Sequence, residues 1–217
     1  MIRPLRLCLS VLLLLCLGAA VGVADTVSYS ASVPLQTTNW ASTLTLPQLD
    51  PGLGALTGVA IEVRDSLVVT IQYENRSPNS GSTLRDSVYA TVDVLKPTSG
   101  SYVTAISQLY QTGSVGIFDG VVDYAGTSGV TFADLVDYTS WSSALTAPAD
   151  LAAFAGTGSV SLPCQAVGRA FLSSTGGNNT HIVRTKAAAL VIVTYTFDPT
   201  HVAARSRTWG ALKGLYR

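Results

Sequence analysis

The chain is expected to fold as an all-β, two-sheet sandwich of jelly-roll or Greek-key type, and three observations predict it. Apolar and polar residues alternate with a period of two in five separate segments. Those segments are rich in Val, Thr, Ile and Tyr, which fit a pleated, half-buried surface. Only two glutamates and three lysines occur among 217 residues, so the composition of ordinary surface helices is missing. A single sheet would leave one large apolar face in water, whereas two sheets packed together bury it. No fixed-period repeat is visible, which argues against a propeller or solenoid.

The first segment belongs to transport rather than to the fold. Arg3 and Arg6 precede an apolar run from Leu7 to Val23, which ends at Gly22-Val23-Ala24 before Asp25. A basic start, an apolar stretch and small residues at −3 and −1 predict a secretory signal peptide over 1–24, cut after Ala24. An uncleaved anchor is the competing reading, and Cys16 is a poor lipidation site because Leu15 before it is not small. Removing 24 of 217 residues leaves 193, ample for one self-sufficient core. It turns 13 basic and 13 acidic residues into 11 and 13, and it leaves Cys164 as the one remaining cysteine. An intramolecular disulfide and a Cys-rich zinc site are both excluded by that count.

The strands then follow in order. Val27, Tyr29, Ala31 and Val33 alternate with serines. Leu67, Val69, Ile71 and Tyr73 form the second set, and Val88, Ala90, Val92 and Val94 the third. Val160, Leu162, Cys164 and Ala166 form the fourth, which puts Cys164 on an apolar face as a buried thiol. Leu190 to Phe197 closes the series, with Val191, Val193, Tyr195 and Phe197 on one face. Turn clusters separate them at Asn75–Ser82, Pro97–Ser101, Gly126–Gly129 and Ser173–Asn179. Ala144 to Phe154 is the one short helix expected, with Pro148 starting or breaking it. The sandwich domain is placed at 25–199, and 200–217 reads as a flexible tail with Arg205, Arg207, Lys213 and Arg217 around Trp209 and Tyr216.

Several blocks in this order resemble the bacterial choice-of-anchor E domain family. They are Tyr29–Pro34, Thr37–Trp40, Leu44–Pro51, Leu53–Thr57, Phe118–Gly120 with Asp123, Gly126–Gly129, Phe154–Pro163 and Ala187–Pro199. The resemblance implies an exported, β-rich module and brings no catalytic residues with it. Members of that family often end in a sorting tail with a Pro-Glu-Pro motif, an apolar helix and an arginine cluster. The residues after Pro199 contain no such motif and no spanning apolar run, so free secretion is expected.

Composition and motifs narrow the function. A chain that is 47% hydrophobic and 12% charged is the reverse of a disordered one, and zero net charge gives no phosphate-seeking field for nucleic acid. Only His181 and His201 are present, both read as solvated loop or tail residues, and Gly-x-Ser-x-Gly, His-Glu-x-x-His, P-loop and Gly-x-Gly-x-x-Gly motifs are missing. An enzyme is therefore not expected, and no cofactor is implied. Calcium is the one ion considered, because Asp119-Gly120 and Asp123 lead into a Gly/Ser-rich turn, although aspartate beside glycine is also what plain turns use. Asn75-Arg76-Ser77 and Asn178-Asn179-Thr180 match the N-glycosylation triplet, which carries no meaning in a bacterial protein.

Two roles remain. The first is a structural or matrix protein of the cell exterior that self-associates through small, uncharged Ser/Thr faces. The second is a module that binds extracellular polysaccharide through exposed Trp40, Trp141 or Tyr side chains. Geometry separates them: two or three coplanar exposed aromatics favour sugar binding, and aromatics buried in the core favour the structural role.

Overall fold

A computed structural model describes residues 24–200 apart from Thr98 and Gly177. The expected signal segment before Ala24 and the basic stretch 201–217, with His201, lie outside the described residues. Eight strands follow in chain order: β1 (Asp25–Thr37), β2 (Trp40–Pro47), β3 (Gly54–Asn75), β4 (Ser82–Leu95), β5 (Ser101–Val115), β6 (Gly129–Leu145), β7 (Ser159–Ser174) and β8 (Asn179–Pro199). They make two antiparallel sheets, ordered β1-β8-β3-β6 and β2-β7-β4-β5. This interleaving of early and late strands in both sheets is a jelly roll, two Greek keys folded face to face.

The alternating apolar sets meet between the sheets. Ile61, Val63, Leu67 and Val69 of β3 and Val191, Val193 and Tyr195 of β8 come from one side. Val88, Ala90, Val92 and Val94 of β4 and Leu162, Cys164 and Ala166 of β7 come from the other. Each fully buried Val, Leu or Ile contributes about 1.5–3 kcal/mol, so the core needs no cross-link. One end of the sandwich is plugged by aromatics: Phe154 packs 5.6 Å from Tyr102 and 6.2 Å from Tyr195, whose hydroxyl donates to the Pro47 carbonyl at 2.7 Å. The other end is polar, with Glu74, Asn75, Ser82 and Asp86 all buried.

The helix is smaller than the sequence suggests. Ala144 and Leu145 finish β6, and α1 covers only Pro148–Leu151, with Pro148 in its first turn where a missing N–H costs nothing. Strands β2, β5 and β6 have no counterpart among the five alternating segments. In β6 the alternation breaks at a bulge, where Asp134 takes φ 50° and the register with β3 shifts between Val69 and Ile71. Phe132 and Leu135 both pack against the core although they are three residues apart.

Cys164 is fully buried and its thiol is pushed up to about 12, chiefly by burial, with Asp93 and Asp65 adding to the effect. A thiol-labelling reagent at neutral pH is expected to leave the native protein unmodified and to react once denaturant is added. Rapid native-state labelling would contradict the burial.

Candidate functional site

The outer face of the β2-β7-β4-β5 sheet carries three aromatic rings on adjacent strands. Because even-numbered residues of β4 and β7 point inward, Tyr89 and Phe171 point outward, and Tyr110 of β5 does the same. Strand register then lines them up in rows. Phe171 and Tyr110 flank Ser87, Arg169 and Gln108 flank Tyr89, and Ser173 and Thr112 flank Arg85. The small Ser87 between two large rings leaves a depression of about 370 Å³, whose lining includes Arg85, Asp86, Tyr110, Thr112, Phe171 and Ser173, the Asp86 carboxyl itself being turned inward. That volume lies within the range of small-ligand sites.

The rings are available and pre-set. Tyr110 is 72% and Phe171 63% exposed, an uncommon state for large apolar side chains on a rigid sheet. Tyr89 stacks beside Phe171 with centroids 5.8 Å apart and an interplanar angle of 26°, so the two rings are held nearly parallel. The depression lies where β2 no longer covers β7. Eight-residue β2 pairs only with Ser159–Ala166, which leaves Arg169–Ser173 at a free edge.

The aromatics expected from the sequence lie elsewhere. Trp40 is in the core, only 9% exposed, with its indole N–H donating to the Ala187 carbonyl at 3.1 Å. Its place at the start of β2, on the inward phase with Leu44 and Leu46, is the physical reason, and it offers no stacking face. Trp141 is exposed, but on edge strand β6 of the other sheet, opposite Val63. Tyr138, the other large exposed ring of β6, points to the opposite side of that strand, so the pair forms no platform.

Asp119 and Asp123 both lie in the β5–β6 loop, and both close local turns. Asp119 Oδ1 accepts from Val121 N at 3.1 Å, Asp119 Oδ2 from Thr127 N at 3.3 Å, and Asp123 Oδ1 from Ala125 N at 3.0 Å. These bonds, that of Val121 foremost, hold the Asp119 carboxyl below its ordinary range. Among the described residues no group of three or more His, Cys, Asp or Glu side chains is placed to hold a metal ion. The loop is tied down from beneath by buried Glu74, whose Oε1 accepts from Ser128 Oγ at 2.5 Å and Oε2 from Tyr124 N at 2.8 Å. Sequence patterning does not reveal this glutamate, since it lies on the outward, polar phase of β3 and only the β5–β6 loop folded over it makes it buried.

His181 is not a solvated loop residue. It stands on β8 with its side chain 11% exposed, 4.5 Å from the Tyr73 ring between centroids. Its Nε2 is 3.7 Å from Asp86 Oδ1, too long for a hydrogen bond, and neither atom has a partner among the described residues. Burial lowers the imidazole pKa and raises that of the carboxyl. The neighbouring Ser82 Oγ is engaged by the Tyr73 hydroxyl and the Thr175 carbonyl, so no poised nucleophile completes a triad.

Asp65 is the second acid inside the sandwich, with Asp86. It is 2% exposed, accepts from Ser107 Oγ at 2.5 Å, and is raised to about 6 by burial, against the lowering effect of that bond. A carboxyl raised above its unfolded value of roughly 3.9 stabilises fully below that value. The contribution is then lost as pH rises from about 4 through about 6, because the unfolded chain ionises first. Asp65→Asn is expected to flatten that fall and to stabilise the protein at pH 8 by about 1 kcal/mol after allowance for screening. Denaturant titrations of both forms at pH 4, 6 and 8 check it, and equal pH dependence in the two would contradict it.

No family model matches the chain, and no curated protein matches it. Among solved structures it is similar to the infectious bursal disease virus VP2 subviral particle, at 12% identity and TM-score 0.25, over 82% of this chain and 38% of that one. A structure of the Gx strain of the same virus is similar at 12% identity and TM-score 0.18, over 83% and 38%. The chain thus spans well under half the length of these structures. At such scores the likeness carries no argument about architecture or role.

Proposed function

We propose that this is an exported, non-enzymatic bacterial protein that binds carbohydrate of the cell exterior through the outer face of the β2-β7-β4-β5 sheet. The observation that carries the reading is the set of Tyr89, Phe171 and Tyr110 around the Ser87 depression. Sugar rings have apolar C–H faces that stack on aromatic planes, while their hydroxyls need polar partners at the rim. Ser87, Thr112 and Ser173 provide hydroxyls there, and Gln108 an amide. A sheet holds such a surface in place before the ligand arrives, which limits the ordering cost of binding. Asp65 and Asp86 face inward and Glu74 is covered by the β5–β6 loop at the other sheet, so the rows around Ser87 carry no carboxylate pair of the kind glycoside hydrolysis uses.

Export rests on Arg3, Arg6 and the apolar run before Ala24, and the resemblance to the choice-of-anchor E family supports it. Intact-mass measurement of the secreted protein is expected to give a chain beginning at Asp25. For binding, a glycan array followed by calorimetry on the best ligand is the test. Saturable binding that Phe171→Ala removes is expected, and a blank array contradicts the reading.

A matrix role is the second reading. The outer face of β1 and β8 where Ser28, Ser30 and Ser32 pair with Thr194, Ile192 and Leu190 carries no charge, with Ser28 Oγ and Thr194 Oγ1 2.8 Å apart, and favours it. Concentration-dependent association in sedimentation together with a blank array would move the conclusion there.

A further inference from the structure

Resting on the carbohydrate reading, we infer that the glycan taken by this face is anionic, a chain containing uronic acid residues, with Arg85 and Arg169 reading its carboxylates. Both arginines point outward from the same three rows as the aromatics. Arg169 is the register partner of Tyr89, and Arg85 lies two residues from Ser87 on the same strand. Both are exposed, and neither guanidinium makes a salt bridge or a side-chain hydrogen bond to the described residues. The two other arginines of the strands behave differently: Arg64 pairs with Glu62 at 2.7 Å, and Arg184 donates to Gln72 at 2.5 Å.

The charge on the face has one sign. No acidic side chain points from the nine outward positions of these rows. The acids nearest these rows are both engaged: Asp137 of β6 accepts from the Gln108 backbone N–H at 2.8 Å at the β5 edge, and Asp93, four residues from Tyr89, accepts from Thr104 Oγ1 at 2.6 Å and Gln165 Nε2 at 3.3 Å. A protein with 13 basic and 13 acidic residues has therefore left two unpaired guanidiniums beside the exposed rings of Tyr110 and Phe171. A guanidinium binds carboxylate through two parallel N–H donors, and it does so without needing to be buried.

Spacing selects a chain over a single sugar. Arg85 and Arg169 are four residues apart along the strand direction and one strand apart across it, or about 14 Å at ordinary sheet spacings. Phe171 stands between those two rows. A single uronate cannot span both cations, whereas an oligomer laid over Phe171 can place a carboxylate at each.

The test compares a polyuronate oligosaccharide with its carboxyl-reduced, neutral counterpart by calorimetry on the full chain. The polyuronate is expected to bind at least tenfold more tightly at low salt, and the advantage is expected to shrink as ionic strength rises. Arg85→Gln with Arg169→Gln is expected to erase that advantage, bringing the polyuronate and the neutral chain to equal affinity, with the melting temperature unchanged. Phe171→Ala is expected to weaken both ligands. Equal affinity for the two glycans, or a polyuronate preference that survives both arginine substitutions, overturns the inference while leaving carbohydrate binding intact. Binding of single-stranded DNA as strong as that of the polyuronate and indifferent to Phe171→Ala also overturns it, since the face would then be a general polyanion surface. Failure of both glycans to bind removes the carbohydrate reading as well.

Discussion

Glu74→Ala is expected to destabilise the protein by about 3 kcal/mol, the largest effect of any single polar substitution in the described sandwich. Glu74 is fully buried at the end of β3 and receives two hydrogen bonds from the β5–β6 loop, one from the Ser128 hydroxyl and one from the Tyr124 backbone. Truncation leaves both donors without an acceptor in a site closed to water, and the desolvation of those groups is what costs free energy. Gly129 sharpens the effect. A Cβ at that position would lie 2.4 Å from Glu74 Oε2 and 2.3 Å from Ala125 N, so the loop backbone is already pressed against the carboxylate. For a domain of this size, 3 kcal/mol corresponds to a fall of roughly 6–12 °C in melting temperature. Calorimetry reads it directly. Glu74→Gln keeps an acceptor and is expected to lose less than half as much; equal losses in the two variants would contradict the hydrogen-bond account.

Phe171→Ala combined with Tyr110→Ala is expected to weaken glycan binding at least a hundredfold, or about 2.8 kcal/mol, without lowering stability. Both side chains point into water and contribute little to the core, so their removal exposes no cavity. Each ring is expected to matter separately, because Phe171 and Tyr110 stand on opposite sides of Ser87 and would contact different parts of a ligand. Trp141→Ala serves as the control: its side chain is 64% exposed, but it lies on the other sheet and its loss is expected to leave affinity unchanged. A weakened Trp141→Ala together with an unaffected double variant would move the site to the β6 edge.

The parts of this fold that could be read from residues alone are those whose inward positions are purely apolar. The inward sets of β1, β3, β4, β7 and β8 follow period-two patterns without interruption in the stretches quoted, and those stretches are where the core lies. Strand β5 hides because its inward positions include Ser107, Gln111 and Gly113, which blunt the contrast between faces. Strand β6 hides behind its bulge at Asp134. The aromatic outer face is harder still. Phe171 and Tyr89 occupy the outward phase of strands that the alternation defines, so their exposure was implicit there, but their adjacency is created by the pairing of β4 with β7. Tyr110 joins them only through β5. Trp40 misled for the opposite reason: a tryptophan near a strand start attracts a binding role, and only the inward phase of β2 and the Ala187 carbonyl put it in the core.

The same distinction applies to charge. Low overall charge describes the whole chain, but the physical consequence depends on where the few ions fall. Three acids are buried: Asp65, engaged by Ser107, and Asp86, faced by His181, are turned into the sandwich, and Glu74 is held by Ser128 and Tyr124 beneath the β5–β6 loop. Two arginines are left outside on a single face without acidic partners. A nearly neutral protein thereby acquires one locally cationic, aromatic surface.

Nuclear magnetic resonance titration of the labelled protein with a polyuronate oligosaccharide tests the central claim most directly. Saturable amide shifts are predicted in residues 85–89 of β4, 108–112 of β5 and 169–173 of β7, with the β1-β8-β3-β6 sheet silent. Shifts confined to the β5–β6 loop or to the Trp141 edge, or none at any concentration of glycan, would contradict it.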